Sequence, residues 1–143
     1  MQYRTISADG HIDMAWMPSD IFVDSAPEKW KKRVPHVEET ENGPRWFAEG
    51  LEMGVHRGPA FTVQIPKEDH WSNRIRRMFD VGFFDGQPHP ASPELRKKDQ
   101  QIDGVDAEVI YGILGTGMHL EDKDLVTLVY RIYNEWVSDF CKV

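Results

Sequence analysis

The chain has a single cysteine, Cys141, so an internal disulfide framework is excluded. No cluster of basic residues surrounds Cys141 in the sequence, where Lys142 is a lone basic neighbour. The cysteine is expected to be a small buried hydrophobe beside Phe140, not a nucleophile. Basic residues are scarce: 17 Lys+Arg stand against 24 Asp+Glu, a net charge of −7 across 143 residues with His neutral. That sign disfavours nucleic acid, whose phosphates need clustered Lys and Arg, and anionic membrane surfaces. The basic runs, Lys29 with Lys31–Arg33 and Arg74 with Arg76–Arg77, read as solvated helix faces. No stretch approaches the roughly 20 apolar residues of a membrane span. Met1-Gln2-Tyr3-Arg4 opens no apolar signal region, so a cytoplasmic location is the default expectation.

With 40% hydrophobic residues, the chain has the composition for the core of one ordinary domain. Residues 3–8 are β-prone and are expected to form a first strand that breaks at Asp9-Gly10. Pro18-Ser19-Asp20 offers a helix start, and Ala26 to Lys32 reads as a short helix begun by Pro27. Residues 34–49 read as a hairpin turning at Asn42-Gly43. Residues 50–91 are rich in Gly, Pro and aromatics with weak periodicity. One short helix, Asn73 to Phe79, is expected there, and the stretch has the character of a functional insertion.

Order returns with Ser92-Pro93-Glu94, a helix start with a capping Ser, Pro at the first position and an acid in the first turn. Leu95 and Ile102 share a face, and Gly104 ends the helix. Ala107 to Tyr111 is a strand. Gly112 to Gly117 lacks the Lys-Ser/Thr of a phosphate loop and reads as a strand-end loop. From Asp122 to Phe140 a long helix carries Leu125, Leu128, Val129, Ile132, Trp136, Val137 and Phe140 as a wide apolar stripe. Strands alternating with helices imply an α/β fold with a parallel sheet, which needs cover on both faces.

Chemistry concentrates at Asp9-Gly10-His11-Ile12-Asp13. Strand alternation puts Asp9, His11 and Asp13 on one side. A carboxylate and an imidazole two residues apart can share one divalent cation. By itself the run is weak, since many surface loops carry it, and Asp13 reads more readily as a capping acid than as a ligand.

Three segments raise its weight. Ile6-Ser7-Ala8-Asp9-Gly10-His11 with Pro18-Ser19-Asp20 resembles the opening of the amidohydrolase superfamily, in the branch of aminocarboxymuconate-semialdehyde decarboxylase. Asp103-Gly104-Val105-Asp106-Ala107-Glu108-Val109-Ile110-Tyr111 resembles that family's approach to its second barrel strand, and Val129 to Cys141 its following helix. With the hairpin at Arg45-Trp46, the resemblance touches most of the chain; no one of these motifs is specific alone.

The resemblance implies an α/β fold that is the N-terminal portion of a (β/α)8 TIM barrel, its first two β/α units. Residues 14–91 would be an insertion with short helices and a hairpin, and residues 92–143 the barrel's helix-strand-helix. It implies a divalent metal, commonly zinc, with Asp9 in a place that many relatives fill with His and with His11 as the second ligand. Further ligands and the acid/base aspartate would lie beyond Val143; His36, His56, His70, His89 and His119 match none of them. Trp16, Ile113, Leu114 and the insertion would line the pocket for a small-molecule substrate. The activity implied is metal-dependent hydrolysis, or non-oxidative decarboxylation, of a small carboxylate, aromatic or amide-type compound.

A (β/α) barrel typically takes about 250 residues. The expectation is therefore an incomplete N-terminal fragment that needs a complementing C-terminal segment or a homo-oligomer to cover the stripe of the last helix. The alternative is a non-catalytic binding or structural module that dimerises through that helix. The fragment reading predicts little or no turnover by the purified chain with zinc; robust turnover in a hydrolase or decarboxylase assay would refute it.

Overall fold

The stripe of the last helix needs a surface to cover, and the segment after the first strand supplies it. The structure, a computed structural model, describes residues 4–56, 89–113 and 115–143. The elements are β1 (Ile6–His11), α1 (Ile21–Ser25), β2 (His36–Thr40), β3 (Gly43–Ala48), β4 (Leu51–Val55), α2 (Pro93–Asp103), β5 (Ala107–Tyr111) and α3 (Lys123–Phe140). Short 3-10 turns lie at Met14–Trp16, Glu28–Trp30, His89–Ala91 and Thr116–His119. β1 and β5 form a parallel pair, and β2-β3-β4 an antiparallel meander. The fold is thus mixed α/β, and the described strands close no barrel. The expected Asn73–Phe79 helix lies outside the described residues.

Leu125, Leu128, Val129 and Ile132 of α3 are buried, and Tyr133 joins them. They pack in one core with Ile12, Met17, Phe22, Val34 and Trp46. Each such side chain contributes roughly 1.5–3 kcal/mol by leaving water. The stripe expected to need outside cover is therefore covered by the chain's own first half; Trp136, Val137 and Phe140 are only partly buried. The apolar surface left open is elsewhere. Ile6, Val109 and Tyr111 are 56%, 46% and 47% exposed. The pairing of Ser7 with Glu108 and of Gly10 with Ile110 puts those four toward the helices, so Ile6, Val109, His11 and Tyr111 look the other way.

Several local expectations hold. Ser92 caps α2 by accepting the Leu95 N–H, Pro93 is its first residue, and Gly104 ends it in the left-handed region. Others change. Ala26 to Lys32 makes only the 3-10 turn Glu28–Trp30. Ile102 is 82% exposed, so the Leu95/Ile102 face is not core. Cys141 is exposed, since it lies past the last turn of α3. The turn between β2 and β3 is not a mirror-image Asn-Gly turn, because Gly43 has positive φ and Asn42 does not.

The mirror-image turn falls one hairpin later, where Glu49 (φ 51°) and Gly50 (φ 79°) link β3 to an additional strand, β4, within the presumed insertion. A left-handed Glu costs on the order of 1 kcal/mol. Its carboxylate is held by Arg33, which also donates to Asp122 at 2.8 Å and stacks 4.8 Å from the centre of the Trp30 ring. Arg33 is thus no solvated helix face. It ties the meander to the cap of α3, where Asp122 accepts the Asp124 and Leu125 N–H groups.

Two close features yield predictions. A Cβ at Gly112 would lie 2.7 Å from Cζ of the buried Tyr133 ring. Gly112→Ala is expected to destabilise the fold by about 1–3 kcal/mol in urea denaturation. Asp106 accepts the N–H groups of Thr5 (2.9 Å) and Arg4 (2.8 Å), and these bonds hold its carboxyl below the ordinary value. The Arg33 hydrogen bond, then the cap bond from Leu125, does the same for Asp122. Since the unfolded chain takes up these protons first, both stabilisations are complete above pH 3.8 and are lost as pH falls through the lower folded values. Urea midpoints should therefore drop below pH 3.8, and Asp106→Asn, which keeps an acceptor but cannot titrate, should flatten that drop.

Candidate metal centre

β1 does not break at Asp9-Gly10; it runs on through His11, because β5 pairs with it to the end. Between the Ser7–Glu108 and Gly10–Ile110 pairs, β1 has one more residue than β5. This bulge, at Ala8 and Asp9, contains one candidate ligand and lies just before the other, and bulges commonly re-aim side chains. Asp9 Oδ1 and His11 Nε2 stand 3.0 Å apart. The Asp9 side chain is 86% exposed and that of His11 38%. The His11 ring meets Tyr111 edge-on, with centroids 6.1 Å apart and planes at 86°.

Gly10 between them sits over a largely buried ion pair. Arg96 of α2 binds Glu108 of β5, and their side chains are 13% and 11% exposed. The Arg96 Nη1 also donates to the carbonyls of His11 (3.0 Å) and Pro90 (2.9 Å). A Cβ on Gly10 would fall 2.8 Å from Glu108 Oε2, 3.0 Å from the Val109 carbonyl and 3.1 Å from Arg96 Nη2. The glycine is required by the close approach of the pair. Neither Arg96 nor Glu108 was singled out from sequence. The available signal was Glu108, the one charged residue in the otherwise apolar strand Ala107–Tyr111.

Asp13 is not drawn into the pair. It precedes the Met14–Trp16 turn without capping it by its side chain, and it lines a separate cavity of about 230 Å³. Ile113, expected to line a substrate pocket, also faces this cavity, together with Met14, Thr116 and His119. The indole in the wall is Trp46, whose Nε1 donates to the Met14 carbonyl at 2.8 Å, in the place expected of Trp16. Leu114 and residues 57–88, with His70, lie outside the described residues. Three other histidines have hydrogen-bond partners away from the pair: His36 with the Val34 carbonyl and Glu38, His56 with the Met17 carbonyl, His89 with Asp99.

Chemically, Asp9 and His11 offer one carboxylate oxygen and one imidazole nitrogen to a common point. That donor chemistry fits two positions of a zinc-type coordination shell. No cluster of three or more His, Cys, Asp or Glu suited to a metal occurs among the described residues. No described helix is long and apolar enough to cross a membrane. No protein-family profile matches the chain, and no curated protein is similar enough to count as a relative.

Gly10→Ala is expected to force the Arg96–Glu108 pair or the Val109 carbonyl aside and to cost about 1–3 kcal/mol. Thermal unfolding checks the loss. Unaltered stability would show that the strand yields freely at this point.

Proposed function

We propose that the chain supplies the opening metal-binding edge of an amidohydrolase-type (β/α)-barrel enzyme, a metal-dependent hydrolase or non-oxidative decarboxylase of small carboxylate, aromatic or amide-type substrates. The observation that carries this reading is the convergence of Asp9 Oδ1 and His11 Nε2 at the exposed end of β1. That strand lies parallel to β5, and α2 falls between the two in sequence, as in a βα unit of a barrel. The open face with Ile6, Val109 and Tyr111 has the character of a surface that further strands cover in a closed barrel.

In this reading Asp9 and His11 hold two positions of a divalent cation, with zinc the best chemical fit. When bound, the cation supplies Lewis-acid polarisation of a substrate carbonyl or carboxylate. Tyr111 steadies the His11 ring from its edge. Ile113 and Trp46 offer apolar walls next to the Asp13 carboxylate. The remaining ligands and the acid/base group belong to residues other than these. A module that dimerises through the stripe of α3 has less support, since Leu125, Leu128, Val129 and Ile132 are already buried within the chain.

Cobalt titration followed by visible absorption, with zinc competition, tests the site. Weak binding that competes with zinc is expected, lost in Asp9→Ala and His11→Ala and retained in Asp13→Asn. Equal cobalt binding by an Asp9→Ala/His11→Ala double variant would sink the reading.

A further inference from the structure

We infer that Arg96 is a positioning residue for His11. The inference rests on the metal-site reading above. Three acceptors meet the one guanidinium: the Glu108 carboxylate on β5, the His11 carbonyl at the end of β1 and the Pro90 carbonyl before α2. Arg and Lys are not equivalent in such a place, because only the planar fork reaches several acceptors in fixed directions.

Stability alone is a poor account of this pair. A buried ion pair bears a large desolvation cost, and well-packed apolar side chains in its place are often as stable. What apolar side chains cannot do is hold the His11 carbonyl. The pair also lies directly beneath Gly10, the residue that sets the spacing of Asp9 and His11. Fixing the backbone immediately after that glycine, at the His11 carbonyl, restrains the direction of the imidazole. The bulge before Gly10 makes such a tie necessary, since a strand with an extra residue has a locally disrupted ladder.

The test uses Arg96→Lys and the double variant Arg96→Met/Glu108→Met, with thermal unfolding as the check on folding. In metal-free protein, ¹⁵N and ¹H signals of the His11 imidazole report its hydrogen bond to Asp9. In titrations, cobalt absorption reports affinity. The folded double variant is expected to lose the His11–Asp9 signature and to bind cobalt about 10- to 100-fold more weakly, the size typical of lost support around metal ligands. A merely structural pair would leave both readouts unchanged at equal stability, and that result overturns the inference. Should the double variant not fold, Arg96→Lys decides: it keeps the charge opposite Glu108 but cannot span the carbonyls. The same changes are expected in it, and unchanged imidazole signals and affinity overturn the inference. If the wild-type chain binds no cobalt, the metal reading falls, while the metal-free imidazole signals still decide the role of Arg96.

Discussion

The guanidinium of Arg96 is the constraint on which the rest of the parallel pair depends. It lies between α2 and the strands, bonded to Glu108 and to two backbone carbonyls. A charge buried to this degree requires a partner, so Glu108 must occupy a strand position that sequence pattern would assign to an apolar residue. The pair in turn needs room, and Gly10 provides it by lacking a side chain. Asp9 and His11 flank that glycine and share the opposite, solvent-facing side of the strand. The candidate site is thus the outer consequence of an inner electrostatic demand.

A second ionic cluster does comparable work for the other half. Arg33 joins the Glu49 turn to the Asp122 cap of α3, and Trp30 lies against its guanidinium. Between the two clusters sits the apolar core, with Trp46 bonded to the Met14 carbonyl and Phe22 edge-on to it. The meander, α1 and α3 thereby form one packed body, while the outer face of β1 and β5 stays open.

What could be read from sequence is what depends on neighbours in sequence. The Ser92 cap, the Gly104 stop, the stripe of α3 and the strand Ala107–Tyr111 follow from short-range propensity and periodicity. The Asp9/His11 pairing also needs only two-residue alternation. The features that escaped depend on distant partners. Glu49 is a poor residue for a left-handed turn, and only Arg33, sixteen positions earlier, accounts for it. β4 was hidden because its turn carried no favoured signal. The passage of β1 through Asp9-Gly10 contradicts local turn preference and is imposed by β5. Cys141 looked like core because it adjoins Phe140, but the helix ends before it.

The bonds that finish β1 span long stretches of chain: 102 residues from Arg4 to Asp106 and 85 from Arg96 to His11. Closing such loops is entropically slow, whereas the meander joins strands only a few residues apart. During synthesis the meander has its partners soon after it leaves the ribosome. The first strand must wait, unpaired, until residues near 111 emerge. The end of β1 that carries Asp9 and His11 is therefore assembled after the meander, and a chaperone that shields extended segments would find it exposed in the interval.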